Sequence, residues 1–384
     1  IRNPRNADVA RIVGKDELEL IQTGEIVSRI IAQTCRQSGL SVVYTELMDF
    51  GGDEIYLKSF PSLSGKTYGE LLSLFNKNTL MGIQVPGKAA QLNPSMDTVL
   101  ADTDQLILIA EDDDKIFMDG KTAVQSDFIK ADTQKSNGLE KALLLGWNWK
   151  APTIIHELDN YVPKGSQICI VAAGEGIGGK LESIAAELVN LKLDFKEGDI
   201  TDRKVLESLK LNDFDHIILL CYSDDLDVQK ADARTMITLL HLRDIAEKEK
   251  CDFSIVSEML DIRNRNLAEV SKADDFIVSD KLISLMMTQV SENKSLNSVF
   301  QDIFDPEGSE IYLKPIERYV ETGKPVNFYT ILESAKNKKE TAIGFRLAAD
   351  SRNADAAYGI HLNPDKSAKV IFTQNDKVIV LADE

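Results

Sequence analysis

The chain contains the heptapeptide GDEIYLK at residues 52–58 and repeats it as GSEIYLK at residues 308–314. Both segments combine β-branched and aromatic residues in a way that is typical of a strand. The same spacing of 256 residues pairs Gln33 with Gln289 without a gap. A repeat of this length indicates that one structural unit occurs twice in the chain.

Each copy begins with two amphipathic helices that precede the repeated strand. Apolar residues recur at helical spacing in the first helix, and a second helix follows after Gly39 or Lys294. The apolar stripes consist of Ile26, Ile30 and Ile31 in the first copy and of Leu282, Leu285 and Met286 in the second. Such stripes form either core within the chain or a surface that packs on a partner subunit. A small α/β lobe, the C-lobe, closes each copy.

A segment with alternating strands and helices lies upstream of the second copy. A strand over 166–172 leads into the glycine run 174–179, and apolar residues then recur at helical spacing over 181–189. Further strands are predicted near 191–195, 216–221, 253–257 and 276–278, with helices near 204–209 and 231–248. This alternation predicts the α/β class, with a Rossmann-like lobe built on a parallel sheet.

The first copy has only a short remnant of such a lobe before it. Residues 17–21 are predicted to form the last strand of that remnant, so we expect the native protein to continue N-terminally. The prediction is two tandem modules, of which the first is truncated. The boundaries are 1–22 for the remnant, 23–114 for the first helix pair and C-lobe, 115–163 for a linker with a connecting strand and helix, 164–280 for the second Rossmann-like lobe, and 281–384 for the second helix pair and C-lobe.

The composition indicates a folded, acidic chain. Hydrophobic residues make up 43% of the 384 residues, and the formal net charge is −18. This excess of carboxylates opposes binding to nucleic acid phosphates or directly to an anionic lipid surface, because both require clustered Lys and Arg. The four cysteines and four histidines are dispersed, without CxxC or HExxH spacing. This dispersion argues against a zinc site.

The glycine run fits the dinucleotide fingerprint GxGxxG through Gly174, Gly176 and Gly179. Glycines at these positions allow backbone N–H groups to approach a pyrophosphate at the start of a helix. The acidic residue that binds the ribose is expected about 20 residues later, where Asp194 and Glu197 are the candidates. The run therefore predicts an adenine nucleotide as one possible ligand, and a glycine turn that serves packing alone is the alternative.

Catalysis has no support in the motifs. The glycine run also has the glycine spacing of a P-loop, but Leu181 stands where a hydroxyl would hold Mg²⁺. No nucleophile, base and acid occur together in a known catalytic pattern. We therefore expect a protein that is not an enzyme.

Two adjacent carboxylates, Asp224 and Asp225, follow the strand predicted over 216–221. Ligands of open α/β sheets bind at this end of the strands, so Ser223 and Asp224 join the glycine run as candidate ligand-binding residues. Neighbouring carboxylates suit a hard cation, which makes Asp224 and Asp225 candidate ligands for Ca²⁺. The alternative is a solvated acidic loop, because EF-hand spacing is missing.

The order of these features resembles the regulator of K⁺ conductance (RCK, TrkA-like) module. The matching parts are a lobe with the glycine run and the turn Gly198-Asp199-Ile200-Thr201, then a helix pair, then a small β-containing lobe. Three motifs resemble the CASTOR/POLLUX branch more closely: LGWN at 145–148, ADAR at 231–234 and SEMLD at 257–261. The likeness covers nearly the whole chain, and it adds Asp199 to the candidate cofactor-binding residues.

The resemblance implies a membrane pore N-terminal to this region and a ring of subunits on the cytoplasmic face. One departure is that the helix expected between the second strand and Gly198 is missing, which puts NAD or ATP binding in doubt. We expect a regulatory gating-ring region of a cation channel, for K⁺ or a related ion, that forms a dimer or a tetrameric ring. Ca²⁺ or an adenine nucleotide is the candidate ligand. The alternative is a nucleotide-dependent oxidoreductase or a free-standing TrkA-like sensor subunit of a K⁺ transporter.

Overall fold

The chain forms two compact units in the computed structural model. The structure describes residues 5–15, 18–21, 23–120, 124–131, 138–251, 253–264, 275–305 and 308–383. The first unit takes residues 1–41 and 136–287, and the second takes residues 42–135 and 288–384. Each unit therefore combines segments from both copies of the repeat.

The elements are numbered along the described part of the chain. The strands are β1 (Glu54–Ser59), β2 (Thr79–Gln84), β3 (Ala90–Leu92), β4 (Gln105–Ala110), β5 (Lys141–Leu145), β6 (Gln167–Ala172), β7 (Lys192–Glu197), β8 (His216–Leu219), β9 (Ser254–Met259), β10 (Asp275–Val278), β11 (Glu310–Pro315), β12 (Pro325–Asn327), β13 (Thr341–Arg346), β14 (Ile360–Leu362), β15 (Lys369–Ile371) and β16 (Lys377–Ala382). The α-helices are α1 (Arg5–Gly14), α2 (Thr23–Arg36), α3 (Leu40–Met48), α4 (Tyr68–Leu71), α5 (Ala151–Tyr161), α6 (Ile177–Ala185), α7 (Arg203–Glu207), α8 (Val228–Glu249), α9 (Ser279–Glu292), α10 (Ser295–Ile303) and α11 (Phe328–Lys336).

The first unit is built on a parallel sheet with the strand order β10-β9-β8-β5-β6-β7. Numbered from β5, this is the order 3-2-1-4-5-6 of the doubly wound nucleotide-binding fold. The central strands are continuous apolar runs that are buried along nearly their whole length, as expected for strands covered by helices on both faces. The predicted fold class is confirmed.

The sheet begins one strand earlier than the sequence predicted. Strand β5 and helix α5, which the sequence analysis assigned to the connecting segment 115–163, form the first strand and the first crossover of the sheet. The turn at Gly198 therefore follows the third strand, and the expected helix between the second and third strands is present as α6. The inference of a missing helix was wrong, because it took β6 for the first strand.

Helix α2 packs within the first unit against α5 and the strands β8 and β9. Ile30 and Ile31 of its apolar stripe are fully buried in this packing. The guanidinium of Arg29 lies 3.1 Å from the carboxylate of Glu157 on α5, and Gln33 donates a hydrogen bond to the hydroxyl of Tyr161 at 3.3 Å. The helix of the first copy is thus held on the Rossmann-like lobe of the second copy.

The second unit contains two four-stranded antiparallel sheets with matching topology. The orders are β1-β4-β2-β3 in the first C-lobe and β11-β16-β13-β14 in the second. The repeated heptapeptides supply the equivalent edge strands β1 and β11. Each sheet also has an irregularity at the same place, between Leu80 and Gly82 and between Ala342 and Gly344. The two copies of the sequence repeat therefore form sheets with the same strand order and with the register shift at the same place.

Two hydrogen bonds that are equivalent under the repeat join the C-lobes. The hydroxyl of Thr79 donates to Oδ1 of Asn363 at 2.8 Å, and the hydroxyl of Thr341 donates to Oδ1 of Asn93 at 2.8 Å. Both asparagines adopt the left-handed backbone conformation, with φ of 45° and 42°. This reciprocity gives the joint approximate twofold symmetry, like that of an isologous interface.

Lys366 breaks this symmetry, because Met96 occupies the equivalent position of the first copy. The ammonium of Lys366 is buried and lies 2.6 Å from the carbonyl oxygen of Asn78, 3.3 Å from that of Asn76 and 3.2 Å from the hydroxyl of Thr79. Burial lowers the pKa of Lys366 to about 7. One side of the joint is therefore titratable.

Two segments differ from the sequence predictions. Residues 18–21 form no strand and follow helix α1, so the predicted strand is wrong over these residues, while residues 16, 17 and 22 lie outside the described ones. The segment 124–131 of the predicted linker lies on the second C-lobe, where Ile129 forms a β-bridge with Val320. The backbone N–H of Gln125 also donates a hydrogen bond to the hydroxyl of Thr330 at 2.9 Å. The remaining domain boundaries stay predictions.

Candidate functional site

The predicted site residues lie at the carboxyl edge of the parallel sheet. The glycine run follows β6, Asp199 follows β7, and the segment 223–225 follows β8. In this fold the ligand crevice opens at the switch point between the first and fourth strands, which here are β5 and β8. The loop after β8 therefore lies at the switch point, and the glycine run follows β6, which is on the other side of β5.

The glycine run forms an open turn at the start of α6. Gly176 is the N-cap residue and has a φ of 73°, a conformation that favours glycine. A Cβ atom added at Gly176 or Gly179 would meet nothing within 4 Å, whereas one at Gly174 would approach Cδ1 of Ile177 to 2.9 Å. Because a glycine N-cap has no side chain to accept from the first N–H groups of the helix, those groups can bind an anion.

Tyr222 connects the loop after β8 with the loop that precedes the glycine run. Its hydroxyl accepts a hydrogen bond from the backbone N–H of Ala173 at 3.2 Å. The guanidinium carbon of Arg234 lies 5.4 Å from the centre of the Tyr222 ring, within the range of a cation–π contact. Burial raises the pKa of Tyr222, so the phenol stays neutral.

Arg234 also binds Asp199, so its guanidinium joins the loop after β7 to the loop after β8. Nη2 of Arg234 lies 2.6 Å from Oδ1 of Asp199, and Thr201 donates to the same oxygen from its N–H at 2.9 Å and its hydroxyl at 2.8 Å. Burial raises the pKa of Asp199, but these donors outweigh burial and hold the pKa below its ordinary value. Asp199 is therefore an ionised anchor for Arg234 and for its own turn.

Two donors at this place have no hydrogen-bond partner among the described residues. They are Nε of Arg234 and the hydroxyl of Ser223, and both atoms are buried. Buried donors without an acceptor are rare in folded proteins, because each one costs free energy. The predicted residue Ser223 and the unpredicted residue Arg234 thus offer two donors beside the open glycine turn.

The predicted metal ligands lie in solvent. Asp224 and Asp225 are exposed, and Asp225 is close enough to contribute to the raised pKa of Tyr222. Among the described residues, no group of three or more His, Cys, Asp or Glu side chains could hold a metal ion. Ca²⁺ takes six to eight oxygen ligands, of which this pair supplies only part. The Ca²⁺ site stays a prediction.

A buried ion pair fills the switch point itself. Nζ of Lys150 lies 2.8 Å from Oε1 of Glu258, and their side chains are 5% and 0% exposed. The other oxygen of Glu258 accepts from Nδ2 of Asn148 at 2.8 Å and from the thiol of Cys221 at 3.2 Å. Oε1 also accepts from the hydroxyl of Ser279, the first residue of α9, at 3.0 Å. The carboxylate therefore links the ends of β5, β8 and β9 with the start of α9.

The structure separates the two candidates for the acidic residue of the fingerprint. Glu197 is the last residue of β7 and pairs with Ala172, the last residue of β6, so it lies at the carboxyl edge. Asp194 lies in the middle of β7, where its carboxylate is 3.8 Å from the thiol of Cys169. Of the two candidates, Glu197 therefore lies at the edge of the sheet that carries the glycine turn, and its role stays a prediction.

The ADAR and SEMLD motifs are joined to each other by hydrogen bonds. Asp232 of the ADAR motif is 1% exposed and accepts from the N–H groups of Leu260 at 2.9 Å and Asp261 at 3.0 Å and from the side chain of Asn264 at 2.8 Å. It thereby holds the end of the SEMLD motif. Arg234 is the last residue of the ADAR motif and Glu258 the second residue of the SEMLD motif, but neither was predicted as a site residue. Tyr222 and Lys150 belong to no quoted motif, and no spacing pattern identifies them.

The chain resembles a protein described as the human SLO3 gating ring, with a TM-score of 0.70 and 13% sequence identity. The alignment covers 99% of this chain and 80% of that one. At this identity the likeness shows the fold alone.

The amino-acid sequence is similar to one group of ion channels. Residues 24–126 match the family model described as Castor and Pollux, part of voltage-gated ion channel. The chain is 28% identical to the probable ion channel POLLUX of Oryza sativa subsp. japonica, covering 98% of this chain and 42% of that protein. It is 29% identical to the ion channel CASTOR of Lotus japonicus, covering 99% of this chain and 48% of that protein. The predicted resemblance to CASTOR/POLLUX is confirmed, and the chain spans less than half the length of these relatives.

No helix in the described part of the chain combines the length and the apolar character needed to span a bilayer.

Proposed function

We propose that this chain is a non-catalytic regulatory region of an ion channel, in which ligand binding changes the opening of a pore. The observation that carries the proposal is the extent of the similarity to the CASTOR and POLLUX channels. It runs through 98–99% of the chain and includes both copies of the repeat. The gating-ring architecture of the fold supports the same function.

The finer parts of the proposal follow from this assignment. Subunits assemble as a dimer or a tetrameric ring, the pore lies N-terminal to this region, and the ring faces the cytoplasm. The conducted ion is K⁺ or a related cation. A ligand would act by binding one geometry of the ring more tightly than the other.

The chemistry of the carboxyl edge favours binding over catalysis. Asp199 is neutralised by Arg234, and burial raises the pKa of Cys221 well above its ordinary value, which keeps the thiol protonated and a poor nucleophile. The open glycine turn, Ser223 and Arg234 instead present donors, which suit an anionic ligand such as the phosphates of an adenine nucleotide. Ca²⁺ at Asp224 and Asp225 is the second candidate ligand.

The test measures cation flux into proteoliposomes that contain the full-length protein. The flux with added adenine nucleotide or Ca²⁺ is compared with the flux without added ligand. We expect a ligand-dependent flux that Gly179→Val abolishes, because Gly179 lies in the first turn of α6 and a Cβ atom added there meets nothing within 4 Å, so the bulk is placed in open space at the helix start. Gly138→Val is the matched control, since Gly138 also has open space around it. Absence of cation flux, or flux equally dependent on ligand in all three proteins, contradicts the proposal.

A further inference from the structure

The outer edge of strand β7 is open. This strand ends the order of the parallel sheet and pairs only with β6. The backbone N–H groups of Lys192 and Gly198 donate to carbonyl oxygens on the side of β6, at 2.9 and 3.1 Å. Because hydrogen-bonding groups alternate along a strand, Leu193, Phe195 and Glu197 direct theirs away from β6. Within the described ranges of the chain, no group accepts a hydrogen bond from these outward N–H groups.

This edge lacks two devices that commonly prevent edge strands from pairing, which are bulges and prolines. The register with β6 is continuous over all six residues of β7, and the strand contains no proline. Charged side chains also protect edges, but here two lysines are balanced by two carboxylates. The strand is therefore neutral in a chain of net charge −18, so two copies of the chain repel each other least at such a place.

Two β7 strands are complementary to each other when they run antiparallel with Phe195 opposite itself. Leu193 of each copy then lies opposite Glu197 of the other, and each pair of outward-directed residues can exchange two hydrogen bonds. In the same register Asp194 lies opposite Lys196 on both sides of the centre. Both side chains are exposed, and opposite charges in such cross-strand pairs are stabilising.

The neighbouring registers fail on charge or on hydrogen bonding. A shift that puts Asp194 or Lys196 opposite itself brings like charges together. A shift that puts Leu193 opposite itself requires the N–H of Leu191, which already donates to Asp159 at 2.7 Å. Of these registers, the one centred on Phe195 alone meets both requirements.

We propose that β7 pairs with β7 of a second copy of this chain, antiparallel and about a twofold axis that passes through Phe195. The pairing joins two six-stranded sheets into one continuous sheet, and the contact is isologous. It goes beyond the proposed function, which names no surface for assembly. Failure of this contact leaves the proposed function standing, because subunits of a ring need not meet at β7.

Cross-linking of the whole 384-residue chain tests the register. In Phe195→Cys the two new thiols belong to residues whose Cα atoms lie about 5.5 Å apart across the axis. Lys192→Cys is the matched control on the same strand, because its two copies lie about 20 Å apart, six positions along the strand. The wild type sets the background, since Cys251 is partly exposed. With a short bismaleimide, whose reach lies between these distances, we expect a covalent dimer from Phe195→Cys alone. Equal yields from both variants, or no dimer from Phe195→Cys, overturn the proposal.

Exchange of charge across the axis gives an independent readout. Asp194→Lys places two lysines opposite each other, and Lys196→Asp places two aspartates opposite each other. Each variant alone should raise the dimer dissociation constant about thirtyfold, which corresponds to about 2 kcal/mol over the two pairs. An equimolar mixture of the two variants restores opposite charges, so it should associate like the wild type and thereby show that both variants are folded. Light scattering over a dilution series measures this association. A mixture that associates no better than its separate components overturns the proposal.

Discussion

Replacing Lys150 with methionine removes the cation of the buried ion pair at the switch point and leaves a carboxylate that is fully shielded from solvent. Glu258 keeps its hydrogen bonds from Asn148, Cys221 and Ser279. These neutral donors offset part of the lost attraction but supply no positive charge. We expect Lys150→Met to destabilise the first unit.

The expected loss of unfolding free energy follows from the burial of the Lys150–Glu258 pair. Removing one partner of a buried pair costs about 3–5 kcal/mol, because the remaining charge is left uncompensated. The three remaining donors place Lys150→Met at the lower end, at about 3 kcal/mol. Glu258→Gln leaves the ammonium of Lys150 without an anion and should cost more, while the double variant should cost less than the sum of the two.

Urea unfolding followed by tryptophan fluorescence measures this cost selectively. Both tryptophans of the chain, Trp147 and Trp149, lie in the first unit, so the signal reports that unit alone. Lys248→Met is the control, because its pair with Asp244 on α8 is largely exposed and contributes little. Equal unfolding midpoints for Lys150→Met and Lys248→Met would refute the reasoning about the buried pair.

Three further predictions concern the other unit, the amino edge of the sheet and assembly. The free energy of unfolding of the second unit should rise as the pH increases from about 7 to 10.5, because the buried Lys366 side chain is more easily neutralised in the folded chain than in the unfolded chain. The free energy of unfolding of Lys366→Met, measured at both pH values, should show no such rise. The contribution of Glu140, whose carboxylate pairs with the guanidinium of Arg36, should be complete above pH 4.5 and be lost as the pH falls toward 2. Acid unfolding of Glu140→Gln, followed by tryptophan fluorescence, should lack that part of the wild-type slope. Light scattering over a dilution series should detect a dimer or larger assembly, and a monomeric mass at every concentration would count against the ring.

The repeated heptapeptide allowed an equivalent strand in each C-lobe to be predicted from the sequence. Its β-branched and aromatic residues indicate a strand, and the constant spacing assigns the same strand to both copies. The apolar runs of β6 and β8 were equally clear, because buried parallel strands are continuous in sequence. The predicted helix pairs are also present, with Gly39 in a left-handed conformation between α2 and α3.

The errors arose where a local pattern had more than one meaning. The glycine run drew attention to β6 as the first strand, although the first βα turn is formed by residues 146–150, which contain two tryptophans and no fingerprint. The site contacts of Tyr222 and Arg234 join residues that are far apart in sequence, so no spacing could indicate them. For the apolar stripe that contains Met286, the sequence left open core within the chain and packing on a partner, and Met286 is 1% exposed, so it belongs to the core.

Single-channel recording of the full-length protein tests the central claim most directly, because a regulatory region controls how often a pore opens and not how fast ions pass through it. Glu258→Gln perturbs the buried link from the sheet to the start of α9, and Lys248→Met serves as the control. The account predicts that Glu258→Gln changes the open probability while unitary conductance and ion selectivity stay at their wild-type values. An unchanged open probability, an altered unitary conductance or the absence of channel currents would contradict it.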